Sequence, residues 1–211
     1  MAVPDPPADL HPRLTTWPAG RTFSRIHPLR NAATWFSSKL EASIKGRFHF
    51  FERADGIVVP VLYGAENDDA AIAEILFRNV PLRGAWKEIR ADSLHGLGIS
   101  AVTPKRPLAM IELFGHGLRR LGLTAEELTS TDRVDYPRTV AWARRLHETA
   151  RRADGLVWMS RQFNAAQALM LFGDRVHQED LESDDPLELS FGEGLALVQA
   201  ATTAAEIIIT T

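Results

Sequence analysis

The chain has no cysteine. That excludes a disulfide framework, thiolate catalysis and every cysteine-based metal site, and it fits a reducing cytoplasm. Lysine is scarce as well: of 24 basic residues only four are lysine and the other 20 are arginine. No stretch offers the roughly 20 apolar residues a membrane-spanning helix needs, since the most apolar late segment, residues 195–209, is interrupted by Gln199 and Glu206. The first 18 residues lack the apolar core of a signal peptide and hold five prolines instead. There is no G-x-x-x-x-G-K phosphate loop, no G-x-G-x-x-G after a strand, no G-x-S-x-G and no H-E-x-x-H. Internal repeats and low-complexity tracts are absent too. These gaps exclude the common nucleotide-loop, hydrolase and zinc-protease readings and leave metal binding unsupported.

What is present describes an ordinary globular chain. With 211 residues, 45% hydrophobic and 24% charged, it can bury one sizeable core. The net charge of −3 gives no support to general nucleic-acid binding. A GC-rich genome accounts for arginine in place of lysine; individual arginines in a pocket still suit phosphate and carboxylate through their planar fork.

Residues 1–20 read as a loose N-terminal arm and 21–211 as one domain. Thr22-Phe23-Ser24-Arg25-Ile26 alternates and stops at His27-Pro28, as a short strand does, and residues 31–45 form a connection. Residues 57–63 are rich in β-branched side chains and read as a strand that Pro60 should place at an edge or a bulge. Asn67, Asp68 and Asp69 then cap a helix over residues 69–79, apolar on most of its circumference and therefore buried. Residues 98–102 and 108–113 are two strands joined as a hairpin by Thr103-Pro104-Lys105-Arg106-Pro107. Thr124 caps a short helix, residues 138–152 form a longer one, and Asp154-Gly155 turns into the strand Leu156-Val157-Trp158-Met159-Ser160. Residues 179–185 read as an acidic loop, and 195–209 as a closing helix or helix plus strand. The fold class is α/β (α+β), a central mixed sheet flanked by helices.

Five polar residues stand out. Glu74 sits on the buried helix, where a carboxylate must be paired, neutralised or used; an ion pair with Arg25 or Arg47 is the structural alternative. Tyr63 ends a strand and can offer its ring to a flat ligand or pack in the core. Arg47 follows Gly46, which lets the backbone approach a ligand, and its guanidinium suits a pyrophosphate or a surface ion pair. Arg25 has the same two readings. Ser160, at a strand end, can bind a ribose or a phosphate, or be a turn serine.

In order and spacing, Phe23-Ser24-Arg25-Ile26, Gly46-Arg47-Phe48, Val61-Leu62-Tyr63-Gly64-Ala65-Glu66, Ala70-Ala71-Ile72-Ala73-Glu74-Ile75-Leu76-Phe77 and Asp154-Gly155-Leu156-Val157-Trp158-Met159-Ser160-Arg161 together resemble the RES domain family. His27 and the segments at either end depart from its pattern. The resemblance implies a fold similar to ADP-ribosyltransferases and the toxin of a bacterial toxin–antitoxin pair that degrades NAD, as a phosphorylase or glycohydrolase. NAD is then substrate, with no further cofactor. It implies that Glu74, Arg47 and Tyr63 are catalytic and that Arg25, Arg47, Tyr63 and Ser160 bind NAD. It also implies a cytoplasmic hetero-oligomer with a helix-turn-helix (Xre-type) antitoxin that blocks the pocket, and no membrane or direct nucleic-acid contact. Protein ADP-ribosylation is the alternative chemistry; a non-enzymatic binding module with Glu74 in a structural ion pair is the alternative of another class.

Overall fold

Alternation along two neighbouring strands explains how the centre of the molecule is built. In Leu156-Val157-Trp158 and Ala168-Leu169-Met170-Leu171-Phe172, successive side chains enter two different apolar clusters, one on each face of the sheet. Both faces are covered, so these strands read as continuous apolar runs. The computed structural model describes residues 3–38, 46–84 and 86–211. The second half of the connection expected over residues 31–45 lies outside them, as do the first two residues of the arm.

Strands β1 (Leu14–Trp17), β2 (Phe23–Pro28), β3 (Phe51–Glu52), β4 (Val58–Val59) and β5 (Val61–Ala65) precede helix α1 (Asp68–Leu76). Next come β6 (Glu88–Arg90), β7 (Leu97–Pro104), β8 (Leu108–Glu112) and the helices α2 (Gly115–Leu121), α3 (Ala125–Leu128) and α4 (Tyr136–Thr149). Strands β9 (Gly155–Met159), β10 (Gln167–Phe172), β11 (Leu181–Ser183) and β12 (Leu187–Glu188) lead to α5 (Gly192–Ala204) and β13 (Ile208–Thr210). Among the described residues nine strands form one mixed sheet in the order β1-β8-β9-β10-β5-β2-β7-β11, with β12 also on β7. Within it β8 and β9 run parallel. The fold is the expected mixed α/β class, a central sheet flanked by helices.

The sheet is curled, and chain geometry requires it. Strands β7 and β8 are separated by three residues, which with their flanking bonds reach about 15 Å at most. In the sheet order they stand five places apart, about 24 Å across a flat sheet. A cluster fed from both ends of the order, Trp17 and Leu108 with Phe23, Val102 and Leu181, fills the inside of the curl. The expected hairpin over residues 98–113 is therefore wrong: β7 pairs with β2, β11 and β12, and β8 with β1 and β9.

The N-terminal residues are likewise not loose. Val3 and Leu10 are buried in the core, and β1 adds to the sheet edge beside β8. Prolines lack an N–H but keep their carbonyls. Arg138 donates to Val3 O (2.6 Å), Trp142 Nε1 to Pro4 O (2.7 Å) and Arg145 Nε to Pro7 O (3.2 Å). Within the expected acidic loop, Leu181–Ser183 pairs with β7. Pro60 divides β4 from β5 rather than marking an edge: β4 forms a small hairpin with β3, while β5 lies between β10 and β2 in the middle of the sheet.

Helix α1 starts where Asn67 Oδ1 accepts from Ala70 N at 2.9 Å, with Asp68 and Asp69 at its positive end. It buries Ala70, Ala71, Ile72 and Ala73, but Ile75 is 45% exposed, so burial is one-sided rather than all-round. A single 3-10 turn, Phe77–Asn79, completes the expected helical span. No helix among the described residues is long and apolar enough to cross a membrane.

Candidate functional site

Strands β2 and β5 pair at one point, Ser24 with Ala65. Beyond it they diverge: β2 continues along β7, and β5 continues along β10. The gap is the floor of a cavity of about 760 Å³, walled further by α1, the Gly46–Phe50 loop and residues 131–136. That volume is in the range of small-molecule and cofactor sites, roughly 300–1,000 Å³. Among the described residues five guanidinium groups line it, those of Arg25, Arg47, Arg78, Arg133 and Arg161, against the two carboxylates Glu74 and Asp132. Such a wall favours an anionic ligand.

Glu74, on the cavity side of α1, is held from below. The Ser160 hydroxyl donates to its Oε1 at 2.6 Å and the Gln162 amide to the same oxygen at 3.3 Å. No basic side chain lies within 4 Å of it among the described residues, so the alternative of an ion pair with Arg25 or Arg47 does not hold. Ser160 follows β9 and is only 2% exposed. Its hydroxyl also accepts from Phe163 N at 2.9 Å. Expected on the cavity wall, Ser160 lies instead behind Glu74, because the strand end turns its side chain toward α1.

Arg25 occupies β2 opposite Ser100 and is 7% exposed. Nη2 donates to Trp35 O at 2.7 Å, whereas Nη1 is buried with no hydrogen-bond partner among the described residues. Burial lowers its pKa to about 9. Among the described residues no carboxylate faces this guanidinium; burying such a charge is costly, and an anionic ligand would offset the cost.

Arg47 is held at three places. Its Nε donates to Thr131 Oγ1 (3.4 Å) and Nη2 to Thr131 O (3.3 Å), while the buried Thr139 hydroxyl donates to its carbonyl. Burial lowers its pKa, against upward contributions from Tyr136 and Glu74. Tyr63 braces the same loop from β5, its phenol oxygen accepting from Phe48 N at 3.1 Å. A side chain at Gly46 would place its Cβ 2.9 Å from that oxygen, so glycine is required by close approach. The Tyr63 ring meets Trp158 edge to face, 6.2 Å between centroids, and burial pushes its phenol pKa up.

The structure thus brings Glu74, Tyr63, Arg25 and Arg47 to one cavity. It adds groups that local pattern did not single out: Tyr136, Arg78, Arg161 and the Gln162 amide. Arg161 donates to Thr131 O (2.5 Å) and Asp132 Oδ1 (2.9 Å). The one sequence signal for Tyr136 is the Pro137 after it, a mark of a helix start. Among the described residues no group of three or more His, Asp or Glu could hold a metal ion.

A family model described as the RES domain matches residues 22–191. The chain belongs to the RES domain family. This RES domain also shares its fold with one chain of a crystal structure of the M. tuberculosis MbcT–MbcA toxin–antitoxin complex, at a TM-score of 0.62 and 15% identity, over 89% of the present chain and 92% of the other. No curated protein sequence matches it.

Proposed function

We propose that this RES domain is the toxin of a toxin–antitoxin pair and degrades NAD by cleaving the bond between nicotinamide and ribose. The observation that carries this reading is Glu74, fixed through one oxygen by Ser160 and Gln162, on the wall of a cavity that also holds two buried guanidinium groups, Arg25 and Arg47, neither of which has a carboxylate within 4 Å among the described residues. The family and the fold shared with a toxin–antitoxin complex support it.

The chemistry follows from those positions. As the C–N bond breaks, its electron pair leaves on neutral nicotinamide and positive charge develops on the ribose. Glu74, its Oε1 already bonded from behind, stabilises that charge through Oε2 without having to reorient. Arg25 and Arg47 bind the diphosphate, and the Tyr63 ring stacks on the nicotinamide end. Ser160 keeps Glu74 in place and does not touch the sugar. An oxygen of water or inorganic phosphate then bonds to the ribose carbon, and its proton passes to solvent.

The antitoxin is the proposed partner, a helix-turn-helix protein encoded beside this chain, and the complex a hetero-oligomer of the cytoplasm. Ile75 and Leu82, 45% and 87% exposed at the cavity mouth, are apolar surface such a partner would cover.

Mass spectrometry of NAD incubated with antitoxin-free protein tests the reading. Free nicotinamide is expected, with ADP-ribose in phosphate-free buffer marking hydrolysis and a phosphorylated ADP-ribose marking phosphorolysis. ADP-ribose appearing on protein would establish transfer instead. NAD that stays intact in every buffer overturns the proposal.

A further inference from the structure

Tyr136 has no part in the scheme above, yet two guanidinium groups converge on it. Arg47 Cζ lies 5.8 Å from its ring centroid and Arg78 Cζ 5.5 Å. Its phenol oxygen accepts from Arg78 Nη2 at 3.0 Å. The residue is 7% exposed and lines the cavity.

The ring is set rigidly. Tyr136 is the first residue of α4 and Pro137 fixes the backbone beside it. One turn on, Thr139 holds the Arg47 carbonyl, and ahead of the helix Thr131 holds the Arg47 guanidinium. Arg78 arrives from the other wall. It stands four positions after Glu74, on the face that turns to the cavity, so an anion on Arg78 sits one helical turn from the carboxylate.

Both guanidinium groups line the cavity and share the face or edge of one ring, so a ligand with two linked anionic groups can engage one with each. We propose that Tyr136 is a positioning residue that holds Arg47 and Arg78 as a two-guanidinium clamp for the diphosphate of the substrate. This rests on the dinucleotide reading of the cavity, and it assigns Arg78 and Tyr136 to the substrate's anionic centre, with Arg25 facing it from β2.

Calorimetry with inorganic pyrophosphate tests the clamp without turnover. Tyr136→Leu should weaken pyrophosphate binding about tenfold or more and raise the KM for NAD in proportion, while inhibition by nicotinamide stays at the wild-type level. Tyr136→Phe keeps the ring and loses only the bond to Arg78, so a loss of about threefold is expected. A cycle with Arg78→Gln decides the matter independently of folding: Tyr136→Phe should cost nothing further once Arg78 is gone. Additive losses, or nicotinamide inhibition falling with pyrophosphate binding, overturn the clamp. Intact NAD beside Tyr136-dependent pyrophosphate binding would overturn the dinucleotide reaction and leave the clamp standing.

Discussion

Ser160 and Glu74 are 86 positions apart in the chain, and the Ser160 hydroxyl reaches Glu74 Oε1 at 2.6 Å. The bond ties the end of β9 to the last turn of α1 and fixes the direction in which the carboxylate faces the cavity. Ser160→Ala should lower kcat for NAD about 10- to 100-fold with KM little changed, since misplacement of a reacting group costs rate more than binding. It should also cost about 1–2 kcal/mol, because Phe163 N loses its acceptor. Glu74→Gln keeps an acceptor for Ser160 and removes the charge; a fall of at least 100-fold in a folded protein is expected. Wild-type kcat in Ser160→Ala would remove Ser160 from the mechanism.

Arg25 carries a buried charge that no carboxylate among the described residues pairs with. Replacing it with methionine removes the unpaired Nη1 and the cost of burying a cation. Arg25→Met should therefore be more stable than wild type by about 1–2 kcal/mol while losing affinity for pyrophosphate. At one fixed pyrophosphate concentration Tm should rise in the wild type and rise less in the variant, which keeps Arg47 and Arg78. A drop of several degrees in the unliganded variant would make Arg25 a structural residue.

Local pattern was enough for the elements that bear the site. Alternation located the strand of Arg25, the Asn67-Asp68-Asp69 cap located the helix of Glu74, and the Asp-Gly turn located the strand before Ser160. It failed where distant chain decides. The hairpin expected between β7 and β8 is what sequence neighbours usually form, but the apolar inside faces of β1, β8 and β11 close the curl and pull the two strands to different partners. The arm is held through backbone carbonyls, which composition does not show. Tyr136 and Thr131 meet Arg47 across more than 80 residues, and nothing local marks that contact.

Away from the cavity, His147 Nε2 lies 3.0 Å from Asp174 Oδ2, and Arg53 is 3.5 Å from the same carboxylate. Burial pushes the Asp174 carboxyl up, but the bond and charge of His147 and the nearby Arg175 outweigh it and hold the group below the usual range. A carboxylate with a depressed folded pKa stabilises the protein above its unfolded value, about 4, and that contribution is lost as pH falls through the folded value. Asp174→Asn should thus lower Tm at pH 7, and the gap to wild type should narrow steadily below about pH 4. A gap independent of pH would mean that the charge contributes nothing.

Gly46 and Tyr63 share one small space, and that gives a test of the Arg47 loop. The methyl of Gly46→Ala would lie 2.9 Å from the Tyr63 oxygen and 3.2 Å from its Cζ. Tyr63 cannot easily retreat, since its hydroxyl is bound by Phe48 N and its ring rests on Trp158. The loop must shift, and Arg47 with it. Gly46→Ala should cost about 1–3 kcal/mol, as overpacking does, and raise the KM for NAD about tenfold. Tyr63→Phe removes the colliding oxygen, so the double variant should recover part of the stability that Gly46→Ala loses, a coupling that thermal unfolding of the four proteins measures directly. If the two losses simply add, the loop is not braced against the Tyr63 hydroxyl and the position of Arg47 depends on Thr131 and Thr139 alone.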